Sequence, residues 1–134
     1  MSEGQTQVDF PSGCILLTQH VDADNSKESG GASGGLSRGN AIAADGVWMG
    51  VSELAPGHKS VRHHHDDQTT IVHILSGAMT FKVGMDGGEV FTARAGDFAV
   101  IPGGLVHQEE NPSEELCRCV VVRNAQVPVV TNLE

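Results

Sequence analysis

Three adjacent histidines, His63-His64-His65, carry the plainest chemistry in this 134-residue sequence. Alternate residues of a strand share a face, so His63 and His65 can aim two imidazoles at one point while His64 turns away. Two imidazoles alone hold a divalent metal poorly, so further ligands must arrive from elsewhere in the chain. His107, which follows the sharp Pro102-Gly103-Gly104 turn, is the natural third donor. Imidazole nitrogens suit zinc, iron, copper and nickel, and an added side-chain oxygen would leave the site open to water or substrate. The competing reading is a solvated histidine tract on an acidic surface that binds metals without specificity.

The remaining candidates are weaker. His73 stands at the opposite parity to Thr70 and is expected to face the other side of its sheet, in a hydrogen-bonded or interface role. His58 and His20 are expected to face solvent. Asp66-Asp67 lies in the loop after His65, either solvated or orienting an imidazole through its distal nitrogen. Cys117 and Cys119 share a strand face, which suits buried small hydrophobes better than a disulfide. Glu109 and Glu110 are expected on the solvent face of the strand that begins at His107. No general base stands out; Thr70, His73 and Gln68 are the nearby polar candidates, and the catalytic residues stay unassigned.

The elements that must position these groups are short and extended. Val47 to Leu54 alternates in polarity, and Pro56-Gly57 closes it. Ile71 to Leu75 ends at Ser76-Gly77. Met79, Phe81 and Val83 share one face of the next run and, with Thr70, would line an apolar pocket above a metal. Trp48, Met49 and Phe98 are likewise expected in the core or the cavity lining. Glu89 to Thr92, Asp97 to Ile101, Leu116 to Val122 and Val127 to Val130 complete the series. Strands at this interval, with Gly and Pro between them and no sustained 3.6-residue period, predict an all-β antiparallel sandwich or barrel of one domain. Residues 1–40 read as a polar arm with a Gly/Ser-rich loop over Ser29 to Gly35 and a docking strand at Cys14 to Thr18. Residues 41–134 read as the barrel.

Eight Lys and Arg against 17 Asp and Glu give a net charge of −9. That balance argues against nucleic acid and against an anionic membrane surface as partners. No apolar run approaches the roughly 20 residues of a membrane span. The opening residues lack a secretory pattern, and three cysteines are too few for a disulfide framework, so a cytoplasmic setting is expected.

Two spaced patterns sharpen the picture. Gly57, five residues, His63-x-His65, four residues, Thr70, six residues and Gly77 match the first motif of the cupin superfamily at all but one position. Gly96, five residues, Pro102-x-Gly104, two residues, His107, three residues and Asn111 match the second motif throughout. The sequence therefore resembles a small single-domain cupin, which implies an antiparallel jelly roll and a metal held by His63, His65 and His107. Thr70 occupies the position where cupins usually place a glutamate. Without that anion the site would favour neutral donors or an extra ligand. The Gln68 amide oxygen is the candidate, much as a fourth histidine serves in some cupins, including certain aromatic polyketide cyclases.

The resemblance implies one divalent transition metal per chain, zinc, iron or nickel, with zinc slightly preferred. It also implies a small-molecule substrate and a homodimer, for which Cys14 to Thr18 and Val127 to Val130 could supply interface strands. The leading functional expectation is an enzyme acting on a small, largely apolar organic substrate. Zinc or nickel would give cyclase, isomerase or lyase chemistry, and iron would open dioxygenase chemistry. The alternative is a non-catalytic cupin that binds or senses a ligand with a structural metal. A sugar-nucleotide epimerase of the same fold is disfavoured by the complete histidine set and the few basic residues.

Overall fold

Strict alternation shapes the strand at the centre of the sequence. Val47–Leu54 (β4) turns Trp48, Gly50, Ser52 and Leu54 inward and leaves Val47 and Met49 exposed, the period of two that a half-buried strand requires. Cys117–Arg123 (β11) buries Cys117, Cys119, Val121 and Arg123, and Thr70–Ser76 (β6) buries Thr70, Val72 and Ile74. These strands join Leu36–Ala44 (β3) and Phe98–Ile101 (β9) in an antiparallel sheet of order β3-β4-β11-β6-β9. The facing sheet contains His63–His64 (β5), Ala78–Val83 (β7), Glu89–Arg94 (β8), His107–Glu110 (β10) and Thr131–Asn132 (β12), in the order β12-β5-β10-β7-β8. The computed structural model describes residues 7–17 and 36–133, and no helix occurs among them. Consequently no described helix is long and apolar enough to cross a membrane. The Ser29 to Gly35 loop, Thr18 and His20 lie outside the described residues.

The core lies between the two sheets. Leu54, Ile74, Met79, Phe81 and Ile101 are fully buried there, each side chain contributing about 1.5–3 kcal/mol of transfer free energy. The glycines of the two motifs make the turns. Gly77 joins β6 to β7 at φ +74°, and a Cβ there would lie 2.7 Å from the Leu116 carbonyl oxygen, so only glycine fits without a shift. Asn111, which ends the second motif, is buried and ties three segments together. Its Nδ2 donates to the Leu54 and Glu115 carbonyls at 2.9 and 2.7 Å. Its Oδ1 accepts from the Ser113 backbone N–H and hydroxyl at 2.9 and 2.8 Å.

Four expectations need correction. The barrel starts at Leu36 rather than after residue 40, because β3 pairs with β4 from Leu36 opposite Leu54 onward. Val127 to Val130 is not a strand; as described below, side chains rather than a neighbouring strand take its backbone groups. The docking strand is Ile15–Leu17 (β2), which pairs only with Gln7–Asp9 (β1) in a separate two-stranded sheet among the described residues. Finally, Phe98 and Met49 do not join the core. The register aligns Met49, Val122, Ile71 and Val100 in one row on the outer face of the β3-β4-β11-β6-β9 sheet. On the same face Phe98 is 71% exposed and stacks on His73 at 4.1 Å.

Replacing Asn111 by Ala strands the buried Leu54 carbonyl, which costs about 1–3 kcal/mol when unpaired, and removes the bonds that order the Ser113–Glu115 turn. Asn111→Ala is therefore expected to lower the urea midpoint with an unchanged slope and to lose at least about 2 kcal/mol of stability. A loss within experimental error would contradict the assigned role.

Candidate metal centre

His107 and His63 face each other directly across the β10–β5 pair, and His65 follows two residues later on the same face. All three are buried, and their ring centroids lie 4.4–5.1 Å apart. One ring nitrogen from each falls within 4.8 Å of the others.

What aims these rings is the backbone. Nδ1 of His63 sits 2.8 Å from the Val61 carbonyl, Nδ1 of His65 2.8 Å from that of Val129, and Nδ1 of His107 3.0 Å from that of Leu105. A carbonyl can only accept, so each Nδ1 carries the proton and each Nε2 turns toward the interior as a lone pair. Nε2 of His65 and of His107 has no hydrogen-bond partner there. Backbone carbonyls therefore do the orienting work considered for Asp66-Asp67. Asp66 instead bonds outside the site, its N–H donating to His64 Nδ1 and its carboxylate accepting from Thr131.

Glu109 is the residue the sequence reading misplaced. It stands two residues after His107, and in β10 that parity turns it inward, opposite the buried Phe81, rather than to solvent. Its Oε1 lies 3.5 Å from His63 Nε2 and its Oε2 3.4 Å from His107 Nε2. Donors about 2.1 Å from a common ion sit about 3–3.5 Å apart, so Glu109 is at ligand spacing while the imidazole set is slightly open. A carboxylate thus stands beside the histidines although Thr70 supplies none.

The electrostatics follow from this packing. Burial pushes His63 below its usual pKa and pushes His65 down to about 3, so both are neutral at pH 7. Burial also opposes a charge on His107, but the nearby Glu109 carboxylate outweighs it and raises that pKa. Burial alone would raise the Glu109 carboxyl, but the neighbouring imidazoles, His63 foremost, hold it well below the usual carboxylate range. With the proton of each ring on Nδ1, the inward lone pairs and the Glu109 carboxylate face one another, which is the environment a cation completes.

Both ends of the Gln68 amide are engaged elsewhere. Its Nε2 donates to the Val127 carbonyl at 2.8 Å, and its Oε1 accepts from the Val129 N–H at 3.0 Å. It clamps the segment whose Val129 carbonyl holds His65. Thr70 is buried on the cavity wall, where its hydroxyl accepts from Arg123 Nε at 2.9 Å. Met79 also lines the cavity, whereas Phe81 and Val83 lie behind it, opposite Glu109 and His107 in the register, and are not part of its wall.

The cavity measures about 40 Å³, room for about three waters at 10–15 Å³ each. Its wall is mixed rather than largely apolar, because Arg38, Ser52 and Arg123 join Leu36, Val72 and Val121. Cys119 reaches it as a buried thiol, its pKa raised by burial. His73 stays on the outer face.

Comparison with known proteins agrees with this geometry. The cupin domain family profile matches residues 50–123, more than half the chain. Germin-like protein 3-7 of Oryza sativa subsp. japonica is 33% identical over 88 residues, which are 63% of this chain and 37% of that protein. The chain thus spans well under half the length of the curated relatives it matches. An oxalate oxidase structure is 30% identical, with a TM-score of 0.58 over 66% of this chain and 46% of that one. The polyketide cyclase RemF from Streptomyces resistomycificus shares the fold at 22% identity, with a TM-score of 0.69 over 85% of this chain and 80% of its own. Motif spacing, sheet order, inward histidines and family match lead to one statement: the chain belongs to the cupin domain family.

Proposed function

We propose that this cupin is a metal-dependent enzyme that holds one divalent transition ion on His63, His65 and His107, with Glu109 as the fourth donor. The observation that carries this reading is the convergence of three inward Nε2 atoms and an ionised carboxylate in a buried cavity that supplies them with no shared donor. Three nitrogens and one oxygen suit zinc, iron or nickel. Such an ion, when bound, polarises a substrate oxygen or acidifies a coordinated water. The chain's own residues do the rest. Glu109 stays ionised and serves as an acceptor rather than an acid. The carbonyls of Val61, Val129 and Leu105 keep the rings from turning. Oxalate oxidase among the similar structures supports catalysis on a small organic molecule. A second reading, a ligand-binding or sensing cupin, is favoured by the small volume of the cavity.

Protein purified without a histidine tag or added metal is expected to carry about one ion per chain. His107→Ala is expected to lose it, Glu109→Gln to bind it at least about 10-fold more weakly, and Gln68→Ala to retain it. No metal in wild type after reconstitution would overturn the site. Turnover separates the two functional readings: metal-loaded protein should convert small organic acids or carbonyl compounds, followed by NMR and oxygen uptake, while His107→Ala should not. Saturable stabilisation without product in any metal form would instead establish the binding module.

The proposed homodimer pairs two copies through the apolar outer row of Met49, Val122, Ile71 and Val100, with Phe98 beside it. Sedimentation at micromolar concentration should give twice the mass of one chain, and Phe98→Glu should shift it to the monomer. A monomeric wild type would remove the proposal.

A further inference from the structure

Arg123 closes β11 at the same parity as Cys119 and Val121, and this brings a guanidinium into the barrel interior. The residue is only 6% exposed. Its Nε is anchored by Thr70, and its guanidinium carbon lies 5.5 Å from the centre of the Trp48 ring. Its Nη1 is buried and has no hydrogen-bond partner among the described residues. An arginine kept only for packing would have its donors satisfied, because a buried unpaired charge costs several kcal/mol. Burial, then the charge of nearby Arg38, pulls its pKa down to about 10, so the cation persists at neutral pH.

The same cavity wall holds His63, His65 and Glu109. Glu109 Oε1 also has no hydrogen-bond partner, and among the described ion pairs it meets His63 rather than Arg123. An acceptor aimed at the histidines and a donor aimed from β11 thus face one small space without bonding each other. Once a divalent ion neutralises Glu109, the interior keeps an excess of positive charge. What the unpaired Arg123 donor then lacks is an anion with two oxygens in one plane, for which a guanidinium has matching geometry.

We propose that Arg123 is a carboxylate-binding residue and that the molecule this site takes is a small organic acid rather than an apolar compound. This rests on the metal-centre reading above and names its substrate class. The carboxylate would lie between Arg123 and the histidine cluster, with Thr70 fixing the guanidinium through Nε. The cavity of about 40 Å³ limits the acid to a few heavy atoms. Arg38 borders both this cavity and a wider groove of about 350 Å³ that Asn40, Ile42, Trp48, Val127 and Pro128 help to line. That groove would offer an acid an approach, past two guanidiniums beside one indole.

The test compares glycolate with neutral glycolamide, and acetate with acetamide, by thermal unfolding of the full metal-loaded chain, with metal content measured on the same samples. Wild type should be stabilised saturably by the acids and not by the amides. Arg123→Gln should bind glycolate at least about 10-fold more weakly at unchanged metal content, and Arg123→Lys should fall between. The acid–amide comparison needs no variant, so poor folding of Arg123→Gln leaves the proposal falsifiable. Equal effects of acid and amide on a chain carrying its metal would overturn the carboxylate assignment and leave the metal centre standing. Unchanged glycolate affinity in a folded Arg123→Gln would remove Arg123 from it. A metal-free wild type that still prefers acids through Arg123 would uphold this inference while the metal reading fails.

Discussion

The interior of this barrel is organised around a buried carboxylate. Taking Glu109 out of water costs several kcal/mol unless opposite charge and donors compensate. His107 supplies part of that compensation and His63 stands 3.5 Å away, but two of the three histidines are held neutral by their own burial. A cation at its centre would complete the set, and an ion that bound the folded chain alone would stabilise it by mass action.

Each of the three imidazoles is locked by a carbonyl outside a regular strand ladder or at its margin. Val61 and Leu105 lie just ahead of the strands that carry His63 and His107. Val129 is supplied by the irregular C-terminal segment, itself held by Gln68. Thus Gln68 supports the centre at one remove: it orders the segment that orients His65. The two-sheet fold sets the distance between strands, and these loop carbonyls set the direction of the imidazoles.

Much of this was legible in the sequence because strand parity is a strong constraint. Val47 to Leu54 was read with the boundaries that β4 has, and the shared face of His63 and His65, with His107 as third donor, follows from the motifs. Glu109 was legible by the same rule, two residues after His107, and was missed because carboxylates on strands usually face water. Arg123 likewise follows from the parity of Cys117 and Cys119. Other features had no local signal. The bonds of Gln68 to residues about 60 positions away, and the apolar but irregular Val127 to Val130, depend on tertiary packing. Phe98 was placed in the core by its type, although the register turns it outward.

The central claim is that three imidazoles and one carboxylate share a single ion. X-ray absorption spectroscopy of the metal-loaded protein tests it most directly. The account predicts a shell of nitrogen and oxygen donors at about 2.0–2.2 Å, with the outer-shell scattering of about three imidazole rings. A shell with one imidazole or none, or with sulfur at about 2.3 Å from Cys119, would contradict it.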